Sequence, residues 1–317
     1  MKRILVTGAA GQIGSELTMA LRERYGNDNV VAGINRTQPN PELKESGPVE
    51  TVNCTDAAAL AGVVGKYKID SIIHLAAILS AVAEAKPALA WDVNINGLYN
   101  VLEVARERGC VVFTPSSIGA FGPTTPLDDT PQDTIQRPNT MYGVTKVSGE
   151  LLCDYYYKRF KVDTRGVRYP GIISNVTLPG GGTTDYAVEI YYEAIKKKKY
   201  TCYIAKGTYL DMMYMPDAIN ACVDLMEANP SKLKHRNAFN VTAMSFDPEI
   251  IAAEIRKHIP GFVMDYDVDP VRQGIAETWP NNMDDSCARA EWNWEPTFDL
   301  PTMTKDMIEV LTEKLNK

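Results

Sequence analysis

Short apolar runs alternate with longer stretches in which apolar residues recur every three or four positions, and this alternation organises the first half of the chain. Positions 3–7, apolar or β-branched after Arg3, form a run that stops at Gly8, after which Ile13, Leu17, Leu21 and Tyr25 mark one face of a helix. Runs at 30–34, 49–52, 71–75 and 111–114 read as further strands, with later ones at 162–168 and 238–241. Helical spacing fills the intervals ending near Lys66 and Arg108, the second opened by Pro87. Positions 37–48 hold three prolines and read as a surface connection. Strand and helix in alternation require a parallel sheet with crossover helices, so the expected class is α/β. After Pro170 the rhythm loosens. A glycine-rich loop at 180–185 caps a helix running to about Lys198, another helix starts near Pro216, and helices at 248–258 and 302–315 stand among turns rich in Pro and Trp.

The first turn carries chemistry. Gly8, Gly11 and Gly14 lie between a strand and a helix, where missing side chains allow positive φ and let backbone amides approach a pyrophosphate. A dinucleotide site is expected there, in a doubly wound parallel sheet of Rossmann type. The second strand should then end at the adenosine ribose, where an acidic residue is usual. Ile34, Asn35 and Arg36 occupy that place: Asn35 can hydrogen-bond the ribose diol, and Arg36 can accept a 2′-phosphate or remain solvated. NAD is the preferred reading and NADP is not excluded. Asn53 is placed to reach the adenine edge, with Cys54 beside it, while Thr55 or Asp56 caps the next helix. Leu75, Ala76 and Ala77 follow the fourth strand, where a cofactor backbone would lie, and His74 before them reads as a core residue. Asn94 shares a helix face with Leu98 and Val101, which predicts burial against a specific partner. The expected organisation is a dinucleotide-binding unit at 1–172, rejoined by segments near 210–243, and a smaller, mostly C-terminal substrate-binding region at 173–317.

Composition narrows the partners. The chain has 317 residues and a net charge of −7, which disfavours nucleic acid or an anionic membrane as the main partner. Lys196 to Lys199 read as a solvated helix end. Six cysteines without paired short spacing, together with three histidines, predict neither a zinc site nor a disulfide framework. No metal is expected. The apolar run at the amino terminus is too short for a signal or a spanning helix, so the expectation is a soluble cytoplasmic protein.

Tyr142 and Lys146 sit four residues apart and so share a helix face, which places an ammonium beside a phenol. A nearby cation favours the phenolate and suits it to act as a general base. Ser116 and Ser117 emerge at the carboxyl edge of the 111–114 strand, the side on which open α/β sheets bind ligands, although serines there also cap turns. Asp185 is either an ammonium partner or a carboxylate favoured at a helix start.

Taken together, Thr7-Gly8-Ala9-Ala10-Gly11-Gln12-Ile13-Gly14, Ser117, and Tyr142 with Lys146 resemble the extended short-chain dehydrogenase/reductase superfamily. The blocks His74-Leu75-Ala76-Ala77-Ile78-Leu79-Ser80, Arg137 through Lys146, Arg168 through Ser174, Gly182 through Glu189 and Met212 through Asp217 are similar to its short-chain L-threonine 3-dehydrogenases, relatives of the nucleotide-sugar epimerases. This resemblance implies oxidation of the threonine 3-hydroxyl to 2-amino-3-oxobutyrate, with Tyr142 as base, Ser117 holding the same oxygen and Lys146 on the nicotinamide ribose. It implies cofactor contacts from Gly8, Gly11, Gln12, Ile13, Gly14, Asn35, Arg36, Asn53, Cys54, Leu75, Ala76, Ala77, Asn94, Lys146, Tyr169 and Pro170. Substrate contacts would come from Ser80, Ser116, Tyr142, Thr184 and Asp185, with Trp279 closing the pocket. The family commonly has Asp-Ile where this chain has Ile34-Asn35. A homodimer paired through the long helices near 87–108 and 141–160 is also implied. Two rival functions share the same features: a nucleotide-sugar epimerase or dehydratase, which would need a cationic groove for a diphosphate, and a non-catalytic dinucleotide sensor.

Overall fold

The computed structural model describes residues 1–178 and 180–316. Seven strands come from the first half: β1 (Ile4–Thr7), β2 (Val30–Ile34), β3 (Val49–Thr51), β4 (Ser71–His74), β5 (Val111–Phe113), β6 (Ser116–Ser117) and β7 (Thr164–Arg165). Six of them form one sheet in the order β3-β2-β1-β4-β5-β7, and every neighbouring pair is parallel. The expected doubly wound α/β sheet is therefore present. β1 and β4 are buried along their whole length, as continuous apolar runs covered on both faces should be. Successive side chains of β1 serve opposite faces. Ile4 and Val6 pack with Leu17 and Leu21 of the Gln12–Tyr25 helix, while Leu5 packs with Leu60, Val101, Cys153 and Tyr156 on the other side.

The second half continues with β8 (Val167–Tyr169), β9 (Gly171–Ile173), β10 (Lys199–Cys202), β11 (Leu210–Tyr214), β12 (Phe239–Asn240), β13 (Met244–Phe246) and β14 (Val263–Tyr266). β8 lies between β6 and β12, β11 lies between β9 and antiparallel β13, and β10 pairs with β14. A third apolar core joins the Tyr186–Lys197 helix to Ile251, Ile255, Met303, Met307 and Leu311 of the later helices.

Several elements differ from the sequence expectation. The single strand expected over 162–168 is split at Gly166 into β7 and β8, which belong to different sheets. A Cβ at Gly166 would lie 2.3 Å from the Thr114 carbonyl oxygen, so the chain passes too close there for a side chain. The 37–48 connection contains the short helix Pro41–Glu45, capped by Asn40, whose side chain accepts from Leu43 N–H at 2.7 Å. Helical spacing over 87–108 is interrupted by a π-helical segment at Asp92–Asn96. The lysine run ends a helix at Lys197, turns through left-handed Lys198, and its last member opens β10. Among the described residues, no helix is long and apolar enough to cross a membrane.

Candidate active site

The glycine turn is built to receive a ligand backbone. Gly8 has φ +73, and a Cβ there would lie 2.7 Å from the Ala76 nitrogen; at Gly14 it would lie 2.2 Å from the Gly8 carbonyl oxygen. The turn thus stays flat against the Gln12–Tyr25 helix, whose amino terminus faces the groove without a side-chain cap. That cradle fits a pyrophosphate. On one side of the turn runs a pocket of about 400 Å³ lined by Ile34, Asn35, Arg36, Asn53, Cys54, Leu75, Ala76 and Ala77. On the other side is a cleft of about 250 Å³ lined by Gln12, Ile13, Ser80, Ser116, Ser117, Tyr142, Lys146, Tyr169, Pro170, Thr184, Asp185 and Trp279. Gly8, Gly11, Leu75 and Ala77 border both, so the two spaces form one groove across the turn.

Tyr142 and Lys146 stand on the Met141–Phe160 helix, which starts at Thr140, whose hydroxyl accepts from Gly143 N–H at 3.1 Å. The first turn of this helix is pressed onto the loop after β6. A Cβ at Gly143 would lie 2.3 Å from the Gly119 oxygen and 2.4 Å from the Pro138 Cβ. The same contact brings Ser117 to Tyr142: seen from a Cβ position on Gly119, the Tyr142 ring is 3.1 Å away and the Ser117 Oγ 3.5 Å. The Ser117 Oγ accepts from Gly119 N–H at 3.1 Å, which leaves its own proton to donate into the cleft. Lys146 Nζ donates to the Pro115 carbonyl at 2.7 Å and sits 5.4 Å from the centroid of the Tyr142 ring.

A carboxylate that sequence reasoning passed over ties these parts together. Glu150, one turn beyond Lys146, is buried and accepts from Ser116 Oγ, from Gln136 Nε2 at 2.8 Å and from Arg168 Nε and Nη2 at 3.1 and 2.8 Å. It therefore joins the helix to β6 and β8 through a bidentate ion pair. The signal was present in the four-residue recurrence Tyr142, Lys146, Glu150. Ser116 borders the cleft but gives its proton to Glu150.

Asn94 is placed differently from the other cofactor candidates. Its amide accepts from Ile78 N–H at 2.7 Å and donates to the Ile78 carbonyl and to Thr145 Oγ1, so it fastens the segment after β4 to the Tyr142 helix. It does not line the 400 Å³ pocket, where its neighbour Val93 stands, but lines a small cavity with Leu75, Ala76, Ala77 and Lys146. The Tyr169 hydroxyl is likewise used, donating to the Ala218 carbonyl at 2.6 Å. His74 is buried and bonded to Thr7 Oγ1 at 2.7 Å; burial, aided by the charge of Lys146, pushes its pKa down to about 3. Asp185 Oδ2 accepts from the N–H groups of Gly181 and Gly182, and burial still raises its pKa above the ordinary carboxylate value. The two backbone donors and the charge of Arg272 favour the carboxylate, but burial outweighs them.

Away from the groove, a ring nitrogen of His235, the Cys287 sulfur and a Glu291 oxygen lie within 4.8 Å of one another. Cys287 and Glu291 are four residues apart on the Ser286–Trp292 helix, whereas His235 comes from a distant segment. Glu291 is occupied by His235 Nδ1 and by the backbone N–H groups of Lys234 and His235, which accounts for the cluster through its own hydrogen bonds.

Comparison with known proteins places this groove. The model of the NAD-dependent epimerase/dehydratase family matches residues 4–242. The chain belongs to this family. An uncharacterized epimerase/dehydratase of Staphylococcus haemolyticus is 57% identical over 314 residues, covering 99% of both chains. The structure of an L-threonine dehydrogenase from Clostridium difficile is 63% identical, covers 99% of this chain and is itself covered over 98%, with a TM-score of 0.97. The holo form of a GalE-like L-threonine dehydrogenase from Cupriavidus necator is 48% identical, with coverages of 98% and 99% and a TM-score of 0.95. Membership of the family makes a nicotinamide dinucleotide the cofactor class, in keeping with the glycine cradle.

Proposed function

We propose that this chain is an L-threonine 3-dehydrogenase that oxidises the 3-hydroxyl of L-threonine to 2-amino-3-oxobutyrate with NAD as acceptor. One observation carries the reading: Ser117, Tyr142 and Lys146 open onto the same small cleft as Thr184, Asp185 and Trp279. When bound, the dinucleotide supplies the acceptor for the hydride leaving C3. The Tyr142 phenolate removes the hydroxyl proton, Ser117 donates to the same oxygen and holds it in line, and Lys146 holds the nicotinamide ribose. Lys146 is itself oriented by the Pro115 carbonyl. Asp185, through the oxygen not used by its own turn, meets the substrate ammonium, which stabilises the charge that burial disfavours. Ser80 and Thr184 offer hydroxyls towards the carboxylate, and Trp279 walls the methyl group. In this reading residues 1–172, with segments near 210–243, hold the dinucleotide, and residues 173–317 mainly cover the substrate.

The lining also argues against a nucleotide-sugar substrate. Among the described residues Lys146 is the one cation on the cleft, and a substrate diphosphate beyond the cofactor would find no arginine there. The retained Ser/Tyr/Lys set argues against a non-catalytic sensor. We also infer a homodimer working in the cytoplasm in threonine breakdown. Tyr99, Leu151, Tyr155 and Phe160 are exposed on the Gly97–Arg108 and Met141–Phe160 helices and form the kind of apolar face that a second copy covers. The six unpaired cysteines suit a reducing compartment.

The test is to mix purified protein and NAD with L-threonine or with a UDP-hexose and follow absorbance at the reduced-nicotinamide band. Reduction with threonine alone is expected. Tyr142→Phe should lower turnover by about 10²- to 10⁴-fold while cofactor still binds. Reduction or epimerisation of the sugar nucleotide without threonine oxidation would overturn the assignment, and full activity of Tyr142→Phe would overturn the role of the phenol.

A further inference from the structure

We propose that Glu84 is a positioning residue, which braces the segment carrying Ser80 against the Tyr142 phenol. This inference rests on the threonine reading above and concerns how its base and one wall of its pocket are held together. The short helix Ser80–Ala85 follows Leu79, and both Leu79 and Ser80 border the cleft. Six residues are too few for a helix to persist on its own, since isolated helices of fewer than about 12 to 15 residues are marginal in water. Its position therefore depends on what it touches. Ala83 is fully buried in a small apolar cluster with Tyr142 and Ala90, against which Ile78 and Met141 pack.

Two polar ties secure this segment to the helix that carries Tyr142. At its start, the Ile78 N–H and carbonyl are bonded to Asn94, which also donates to Thr145 Oγ1. At its end, Glu84 accepts from the N–H of Met141, the residue before Tyr142. The first N–H groups of a helix have no partner within it and are open to acceptors from elsewhere. Thr140 takes the N–H of Gly143, and Glu84 takes that of Met141. A carboxylate suits the positive end of a helix, and the bond is charge-assisted. Among the described residues Glu84 has no ion pair and no other hydrogen bond, so its side chain is committed to this contact. With the contact removed, polar groups fasten the segment only near Ile78, and Ser80 can pivot relative to the phenol.

Steady-state threonine oxidation, NAD⁺ binding and amide hydrogen exchange on the purified chain, compared among the parent, Glu84→Ala and Glu84→Gln, test this. Glu84→Ala should lower kcat by about ten- to a hundred-fold, the scale for misplacing a base by about 1 Å, while NAD⁺ still binds. Exchange should quicken in the segments 78–85 and 139–143 together, as local opening of one braced unit requires. Glu84→Gln keeps an acceptor oxygen at the same reach, so it should restore both kcat and exchange to near the parent level. A Glu84→Ala kcat within about three-fold of the parent, or a Glu84→Gln variant as impaired as Glu84→Ala, would overturn the proposal. Loss of NAD⁺ binding in Glu84→Ala would mark a general structural role and overturn it too. Should the parent not oxidise threonine, the function proposed above falls, and the exchange pattern alone decides whether Glu84 braces the two segments.

Discussion

Gly143→Ala offers a direct test of how the Ser117 and Tyr142 side chains are brought together. The added methyl would lie 2.3 Å from the Gly119 oxygen and 2.4 Å from the Pro138 Cβ. Carbon atoms rest at about 3.5 Å or more, so the start of the helix must retreat by about 1 Å. Alanine is the better helix former by about 0.5 to 1 kcal/mol, whereas forcing a methyl into filled space costs about 1 to 3 kcal/mol. The steric cost wins, and a net loss of about 1 to 2 kcal/mol leaves a folded chain, since domains of this kind have about 5 to 15 kcal/mol to lose. Catalysis should suffer far more than stability. A shift of about 1 Å between a base and the group that orients its substrate lowers turnover by about a hundred-fold. The assay is steady-state threonine oxidation alongside chemical denaturation and NAD⁺ binding. The expected pattern is a large fall in kcat, a small fall in stability and retained cofactor binding. A kcat within about three-fold of the parent chain would refute the view that this contact sets the Ser117–Tyr142 geometry.

Two further outcomes follow from the same structure. His74 is buried with its pKa pushed down from 6.5 to about 3, so below pH 6.5 the unfolded chain takes a proton that the native chain refuses. Its contribution to stability is full above the unfolded value and is lost as pH falls towards about 3; His74→Gln should show a shallower decline over that window in denaturation measured against pH. Leu151 is 63% exposed on the Met141–Phe160 helix, and Leu151→Lys should convert a dimer to monomer in light scattering; a parent chain that is already monomeric would remove the dimer proposal.

Local pattern was sufficient for much of the fold and for the outline of the site. Gly8, Gly11 and Gly14 between a strand and a helix mark the phosphate cradle because backbone approach is a property of a few consecutive residues. The four-residue interval from Tyr142 to Lys146 puts both on one helix face because the helix period is local too. The alternation of apolar runs and helical stretches led to the parallel sheet for the same reason. What sequence pattern left undetermined depends on residues far apart in the chain. The split of 162–168 into β7 and β8 follows from the close approach of Gly166 to the Thr114 carbonyl, and no periodicity within 162–168 reports that neighbour. Asn94 was expected to have a specific partner, but only the packing of the π-helical segment supplied Ile78 and Thr145. Asp185 was balanced between ammonium partner and helix-start carboxylate, and tertiary structure shows one oxygen spent on its own turn within a buried setting. The meeting of Ser117 with Tyr142, and the tie from Glu150 to Ser116 and Arg168, were likewise decided by three-dimensional packing. Periodicity tells which face of an element is apolar or polar; what that face meets is set when distant segments close on one another, and each such contact must outweigh the chain entropy of bringing them together.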